Sequence, residues 1–147
     1  VREHRAADSE HLLITFHGIP AKYVAAGDPY ERRCRSTAQK LADRLSLGAD
    51  DWTLSFQSRV GPQQWLQPYT DDTVRELAKR GIRRLSAMCP GFAVDCLETL
   101  EEIAEDYAHQ FVAAGGERLD YLPALNATPS HVSALASVLG RHAWPRA

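Results

Sequence analysis

Two regimes of hydrophobic and polar spacing alternate along the chain. Short uninterrupted apolar runs bounded by polar residues mark buried strands, and apolar residues recurring every three or four positions mark helices. HLLITF at His11–Phe16 is the first run, and it ends in His-Gly-Ile-Pro, the form of a buried strand feeding a loop. Glu31–Leu47 reads as a helix with Ala38, Leu41, Ala42 and Leu45 facing inward and Gly48 as its terminator. WTLSF at Trp52–Phe56 is a second strand, and Asp71–Arg80 a second helix with Thr70 as N-cap and Gly81 just past its end. RRLSAMC at Arg83–Cys89 gives a third strand. Asp95–Ala114, with Leu97, Leu100, Ala104, Ala108 and Phe111 at helical spacing, gives the longest helix, closed by Gly115-Gly116. YLPAL at Tyr121–Leu125 is a fourth strand, and Thr128-Pro129 opens a last helix over Ser130–Arg141.

Strands alternating with helices of this length form βαβ units, so the pattern predicts an α/β fold: an open parallel four-stranded sheet with helices on both faces. The flavodoxin-like strand order 2-1-3-4 is the natural one for this arrangement, and it places ligands beyond the C-terminal strand ends, near strands one and three. The connection from Gly18 to about Tyr30 at that edge is longer than the usual βα loop, which marks it as functional.

Composition narrows the picture. The 147 residues are 44% hydrophobic and 24% charged, proportions of a globular chain, and the length suits one domain over 1–147. The 17 basic and 19 acidic residues leave a net charge of −2, so no nucleic-acid partner is expected. No apolar segment approaches the roughly 20 residues of a membrane span, and the polar N-terminus is unlike a signal peptide. Cys34, Cys89 and Cys96 are odd in number and lack CxxC spacing, against a disulfide framework or a zinc site. A cytoplasmic protein is therefore expected. Val1 stands where an initiator methionine is missing, as in a processed or partial chain.

The candidate chemistry gathers at the strand ends. His17 closes strand one, where its imidazole serves as a base, a metal ligand or a satisfied structural residue. Glu98, Glu102, Glu105 and His109 fall on one face of the long helix, which is either a solvated acidic stripe or a carboxylate set opposite His17. Glu98 also fits position N3 of a capping box begun at Asp95. If strands one and three flank the switch point, an imidazole faces carboxylates, a set suited to Fe²⁺ with coordination positions left open. After strand two, Arg59, Trp65 and Tyr69 lie in a Gly/Pro-containing loop; a cation and aromatics suit a flat acidic ligand, while Trp65 serves equally as a loop anchor. Cys89 and Cys96 read as small packed hydrophobes, and the Asn126-Ala127-Thr128 sequon carries little weight in a cytoplasmic chain.

The strings TFHGIPAKYVAAGDPYERRC, FQSRVGPQQWLQPYTDDT, MCPGFAVDCLETLEEIAE and YLPALNATPSH, in this order from about His11 to His131, resemble ferrochelatase in its Gram-negative bacterial form. The resemblance implies a chelatase domain corresponding to the C-terminal half of a two-domain enzyme that inserts Fe²⁺ into protoporphyrin IX without an organic cofactor. It implies that His17 is the active-site histidine, Glu98 the catalytic glutamate opposite it, both touching the metal, that Glu102 and Asp106 are relay carboxylates, and that Trp65 borders the porphyrin cleft, with Arg59 beside it. It also implies an N-terminal domain as partner, no [2Fe–2S] cluster because no cysteine follows Cys96, and a peripheral membrane contact if the apolar product is handed over at a bilayer. Two alternatives stand beside it: a short homodimeric cobalt chelatase, and a porphyrin- or haem-binding module that inserts no metal.

Overall fold

The computed structural model describes residues 6–142. Four parallel strands, β1 (His11–His17), β2 (Trp52–Gln57), β3 (Arg84–Met88) and β4 (Arg118–Leu122), form one sheet in the order β2-β1-β3-β4. The order is the one the sequence pattern predicts, and β1 and β3 are neighbours at its centre. β1 is buried from His11 to Phe16, which explains its unbroken apolar run.

Because alternate strand residues face opposite ways, β1 feeds two cores. Leu12, Ile14 and Phe16 pack with Leu54, Phe56 and with Cys34 and Ala38 of helix α2 (Tyr30–Leu45). Leu13 packs on the other face with Leu85 and Ala87, with Val74 and Leu77 of α3 (Thr70–Lys79), and with Ile103, Tyr107 and Phe111. Helices thus cover both faces. The last helix, α6 (Pro129–His142), begins at Pro129 as expected; its Val132, Leu135 and Leu139 stay about half exposed.

Several boundaries depart from the sequence pattern. Ser46 in the left-handed conformation (φ 60°, ψ 39°) ends α2, in place of Gly48, whose N–H donates instead to Asp51 Oδ2 at 2.7 Å. Thr70 opens α3 and does not cap it: its hydroxyl is buried between those of Thr15 and Ser55, at 2.9 Å from each, and Tyr69 takes the N-cap. β4 starts three residues earlier than predicted, because Glu117 and Arg118 N–H groups both reach the Arg83 carbonyl, and it ends before Pro123, which has no N–H for a ladder. The long connection after β1 holds a short helix, α1 (Ala21–Ala25).

The largest departure is in the long helix. It consists of α4 (Leu97–Leu100), a π-helical turn at Glu102–Tyr107 and α5 (Ala108–Ala113). The π turn inserts i→i+5 bonding, as in Asp106 N–H to the Glu101 carbonyl at 2.8 Å, and such turns shift the phase of all that follows. The predicted stripe of Glu98, Glu102, Glu105 and His109 is split accordingly: Glu102 turns toward the sheet while Glu105 and His109 face solvent.

Candidate functional site

The site is built at the C-terminal ends of β1, β2 and β3. His17 is the last residue of β1, and its carbonyl accepts from the Tyr30 hydroxyl at 2.8 Å, which pins the strand end to α2. Its Nδ1 lies 2.7 Å from the Gly18 carbonyl oxygen. A carbonyl only accepts, so Nδ1 carries the proton and the lone pair of a neutral imidazole is at Nε2. Trp65 and Phe92 flank the ring, with centroids 6.4 Å and 6.5 Å away and planes tilted by 53° and 49°. Gly18 allows this approach: a Cβ there would meet the Gln57 carbonyl at 3.0 Å and the Trp65 ring at 3.3 Å.

Trp65 is held from several sides. Its indole N–H donates to the Val60 carbonyl at 2.9 Å, and its main chain bridges Pro20, while Leu66 N–H reaches the Ile19 carbonyl at 3.0 Å. The two loops that border His17 are thereby stitched together, and Trp65 is at once a loop anchor and a wall of the cleft. Arg59 is committed differently from what a ligand-binding cation requires, being paired with Asp71 at 2.8 Å and stacked 4.3 Å from the Tyr69 ring centroid.

Glu98 sits in the first turn of α4, with Cys96 as N-cap. Position N3 belongs to Thr99 and not to Glu98: the Cys96 N–H donates to the Thr99 hydroxyl at 3.0 Å. The Glu98 carboxyl is free of the capping duty and is held below the usual carboxylate range, first by hydrogen bonding from Cys96 and its own N–H, and further by the charge of His17.

Glu102 is held by four hydrogen bonds. Oε1 accepts from the Ser58 N–H at 2.7 Å and the Tyr107 hydroxyl at 2.5 Å, and Oε2 from the Ser58 hydroxyl at 2.5 Å and the Gln57 amide at 3.2 Å. Burial, and then the bond to Glu102, push the Tyr107 phenol well above its ordinary value, so it stays a donor. Asp106, on the π turn, is exposed. Among the described residues no three His, Cys, Asp or Glu side chains converge as a closed metal cage.

Asp95 holds the base of the site. Burial would raise its carboxyl, but hydrogen bonds from Asn126 (2.7 Å), Ala124 N–H (3.0 Å) and Tyr121 (2.7 Å) keep it below the usual range. Asn126, the sequon residue, is spent on this clamp. Cys34 and Cys89 are buried free thiols within the two cores, and Cys96 is half-buried.

Of the residues singled out from sequence, His17, Glu98 and Trp65 meet at one edge; Glu102 lies behind them, Asp106 faces solvent and Arg59 faces Asp71. Gln57, Ser58, Phe92 and Tyr107 were missed. Phe92 was within reach, since it follows β3 in MCPGF at the same sheet edge. Gln57, Ser58 and Tyr107 carry no local signal, because what they touch is set by the π turn.

Known proteins share the fold and much of the sequence. A crystal structure described as a cobalamin (vitamin B12) biosynthesis CbiX protein from Marinobacter aquaeolei VT8 shares the fold, with a TM-score of 0.53 and 14% identity over 90% of this chain and 96% of that one. A ferrochelatase from Aeromonas hydrophila is 51% identical over 96% of this chain and 44% of its own length. One from Actinobacillus pleuropneumoniae serotype 5b is 50% identical over 92% and 42%, and a coproporphyrin III ferrochelatase from Streptococcus mutans 50% identical over 90% and 41%. The chain thus spans about two fifths of the length of these relatives. The ferrochelatase family model matches residues 1–143, and this chain belongs to the ferrochelatase family.

Proposed function

We propose that the chain is the C-terminal half of an enzyme that inserts Fe²⁺ into protoporphyrin IX, working with a further domain that accounts for the rest of its relatives' length. The reaction exchanges two pyrrole N–H protons for one divalent ion. A neutral imidazole with its lone pair at Nε2 accepts one such proton, and an ionised carboxylate opposite attracts the metal or the second proton. The observation that carries the reading is the pairing of the His17 Nδ1–H with the Gly18 carbonyl, which leaves Nε2 as the acceptor, at the strand end where Gln57, the register partner of His17, fastens the Glu98 main chain.

A chelatase has to release its metal. Two protein ligands leave coordination positions open, which favours transfer over capture. Trp65 and Phe92 supply the aromatic walls for a flat macrocycle. Glu102, saturated by four donors, serves as a fixed anion behind the pair, and Asp106 takes over toward solvent. Exposed Leu97, Leu100, Leu125, Leu135 and Leu139 supply apolar surface for the missing domain to cover. No described helix is long and apolar enough to cross a membrane.

Anaerobic Fe²⁺ or Zn²⁺ insertion into protoporphyrin IX, followed by absorbance, tests the reading for the chain alone and mixed with a ferrochelatase N-terminal domain. Insertion abolished by His17→Ala is the expected result. Porphyrin binding with no insertion in either sample would reduce the chain to a binding module, and a parallel run with coproporphyrin III identifies the preferred porphyrin.

A further inference from the structure

Gln57 is a buried amide at the junction of the two halves of the site. It closes β2, lies directly across from His17 in the β1–β2 register and is 1% exposed. Its Nε2 donates to the Glu98 main-chain carbonyl at 2.9 Å and to Glu102 Oε2 at 3.2 Å, while its Oε1 accepts from the Cys89 thiol at 3.5 Å. Both nitrogen partners are acceptors only, so the orientation of the amide is fixed by its surroundings.

The segment it holds needs holding. α4 has four residues, of which Thr99 alone is buried, and a helix so short has no stability of its own. Its position comes from tethers. The Asp95 clamp ties its N-terminal side to the loop after β4, far along the sheet from His17. Gln57 ties Glu98 itself to the strand paired with the one that carries His17.

We propose that Gln57 is a positioning residue for metal insertion: it sets the separation of His17 and Glu98 by fastening the Glu98 main chain to the end of β2. This rests on the reading of His17 and Glu98 as the inserting pair. Ser58 extends the same anchorage by one residue, giving Glu102 two of its four donors. The strand end thus supplies donors to both acidic turns, and α4, with Thr99 alone buried, is placed by these bonds more than by its own packing.

The test is a double-variant cycle in the insertion assay, using the preparation that turns over. Gln57→Met keeps the length and removes the donors; Gln57→Asn keeps the amide but withdraws it by one methylene, and covers the case in which the first variant misfolds. Both should lower kcat by roughly tenfold to a hundredfold, the scale of a displaced catalytic group, with porphyrin affinity unchanged. In a Glu98→Gln background Gln57→Met should cost nothing further, because the pair is already broken. Amide hydrogen exchange over residues 98–102 should also quicken in the Gln57 variants. Folded variants with wild-type kcat, or effects that multiply with Glu98→Gln, would overturn the positioning role. Wild-type insertion by the Glu98→Gln single variant, with Gln57 intact, would instead overturn the reading of the pair.

Discussion

The Nδ1 of His17 lies 2.7 Å from the carbonyl oxygen of Gly18, the next residue in the chain. That contact fixes the tautomer, so the free lone pair of a neutral ring is at Nε2, and the proposed role of His17 as base falls to that nitrogen. His17→Asn preserves an N–H near the Nδ1 position but has nothing at Nε2, whereas His17→Ala removes both. Both variants should lose metal insertion by roughly a hundredfold or more, the usual contribution of a general base. Retained turnover in His17→Asn would move the acceptor elsewhere.

Gly18 also leaves room for its neighbours. Gly18→Ala places a Cβ at 3.0 Å from the Gln57 carbonyl and 3.3 Å from Trp65 Cε3, so the indole has to give way. Overpacking of this kind destabilises by about 1–3 kcal/mol. Urea unfolding should show the loss, and the tryptophan emission of the folded variant should change as the ring shifts from its place beside His17. An unchanged midpoint and spectrum would mean that the loop yields without strain.

The elements that were legible in the sequence are those whose signal is local. The buried run of β1, the helical spacing of α2 and α3, and the alternation that requires a parallel sheet all depend on residues read against their immediate neighbours. The places of His17 at a strand end and of Glu98 in a first helical turn were legible too, from the same local pattern. The π turn was not, because the composition of Glu102–Tyr107 suits an α-helix equally well; Ala108 and Phe111 beyond it still pack inward as their spacing predicts, but the acidic stripe was read as one face when it is two. β4 was placed late because the apolar YLPAL outweighed the paired Arg118, whose partner, Arg84, lies 34 positions earlier. Gln57 was invisible for the same reason: a polar residue at a strand end shows its purpose only when Glu98, 41 positions on, is brought against it.

Tyr107 and Glu102 provide a test of the acidic anchorage. Tyr107→Phe deletes one of the four donors to a half-buried carboxylate. Leaving such an acceptor short of a partner costs about 1–3 kcal/mol. In a Glu102→Gln background the same change should cost measurably less, with a coupling of about 0.5–3 kcal/mol from the double-mutant cycle. Strict additivity would show that the phenol is held by packing and not by the carboxylate.

Asp95 yields a prediction about pH. Its carboxyl, held down by Asn126, Ala124 and Tyr121 against the opposing effect of burial, titrates lower in the folded chain than in the unfolded one. A group with a depressed folded value stabilises the fold above its unfolded pKa, about 3.9. That stability is lost as pH falls through the folded value. Asp95→Asn replaces one accepting oxygen by a donor in a shell made entirely of donors, so it should cost about 1–3 kcal/mol near pH 7. The gap between the two proteins should narrow as the pH drops below about 4, where the unfolded wild-type chain takes up a proton that the folded carboxyl still refuses, and it closes once the pH passes the lower folded value. Chemical denaturation at several pH values measures the gap directly. A difference that stays constant down to the acid limit would mean that the shape of the side chain, and not its charge, fastens the loop after β4 to the start of α4.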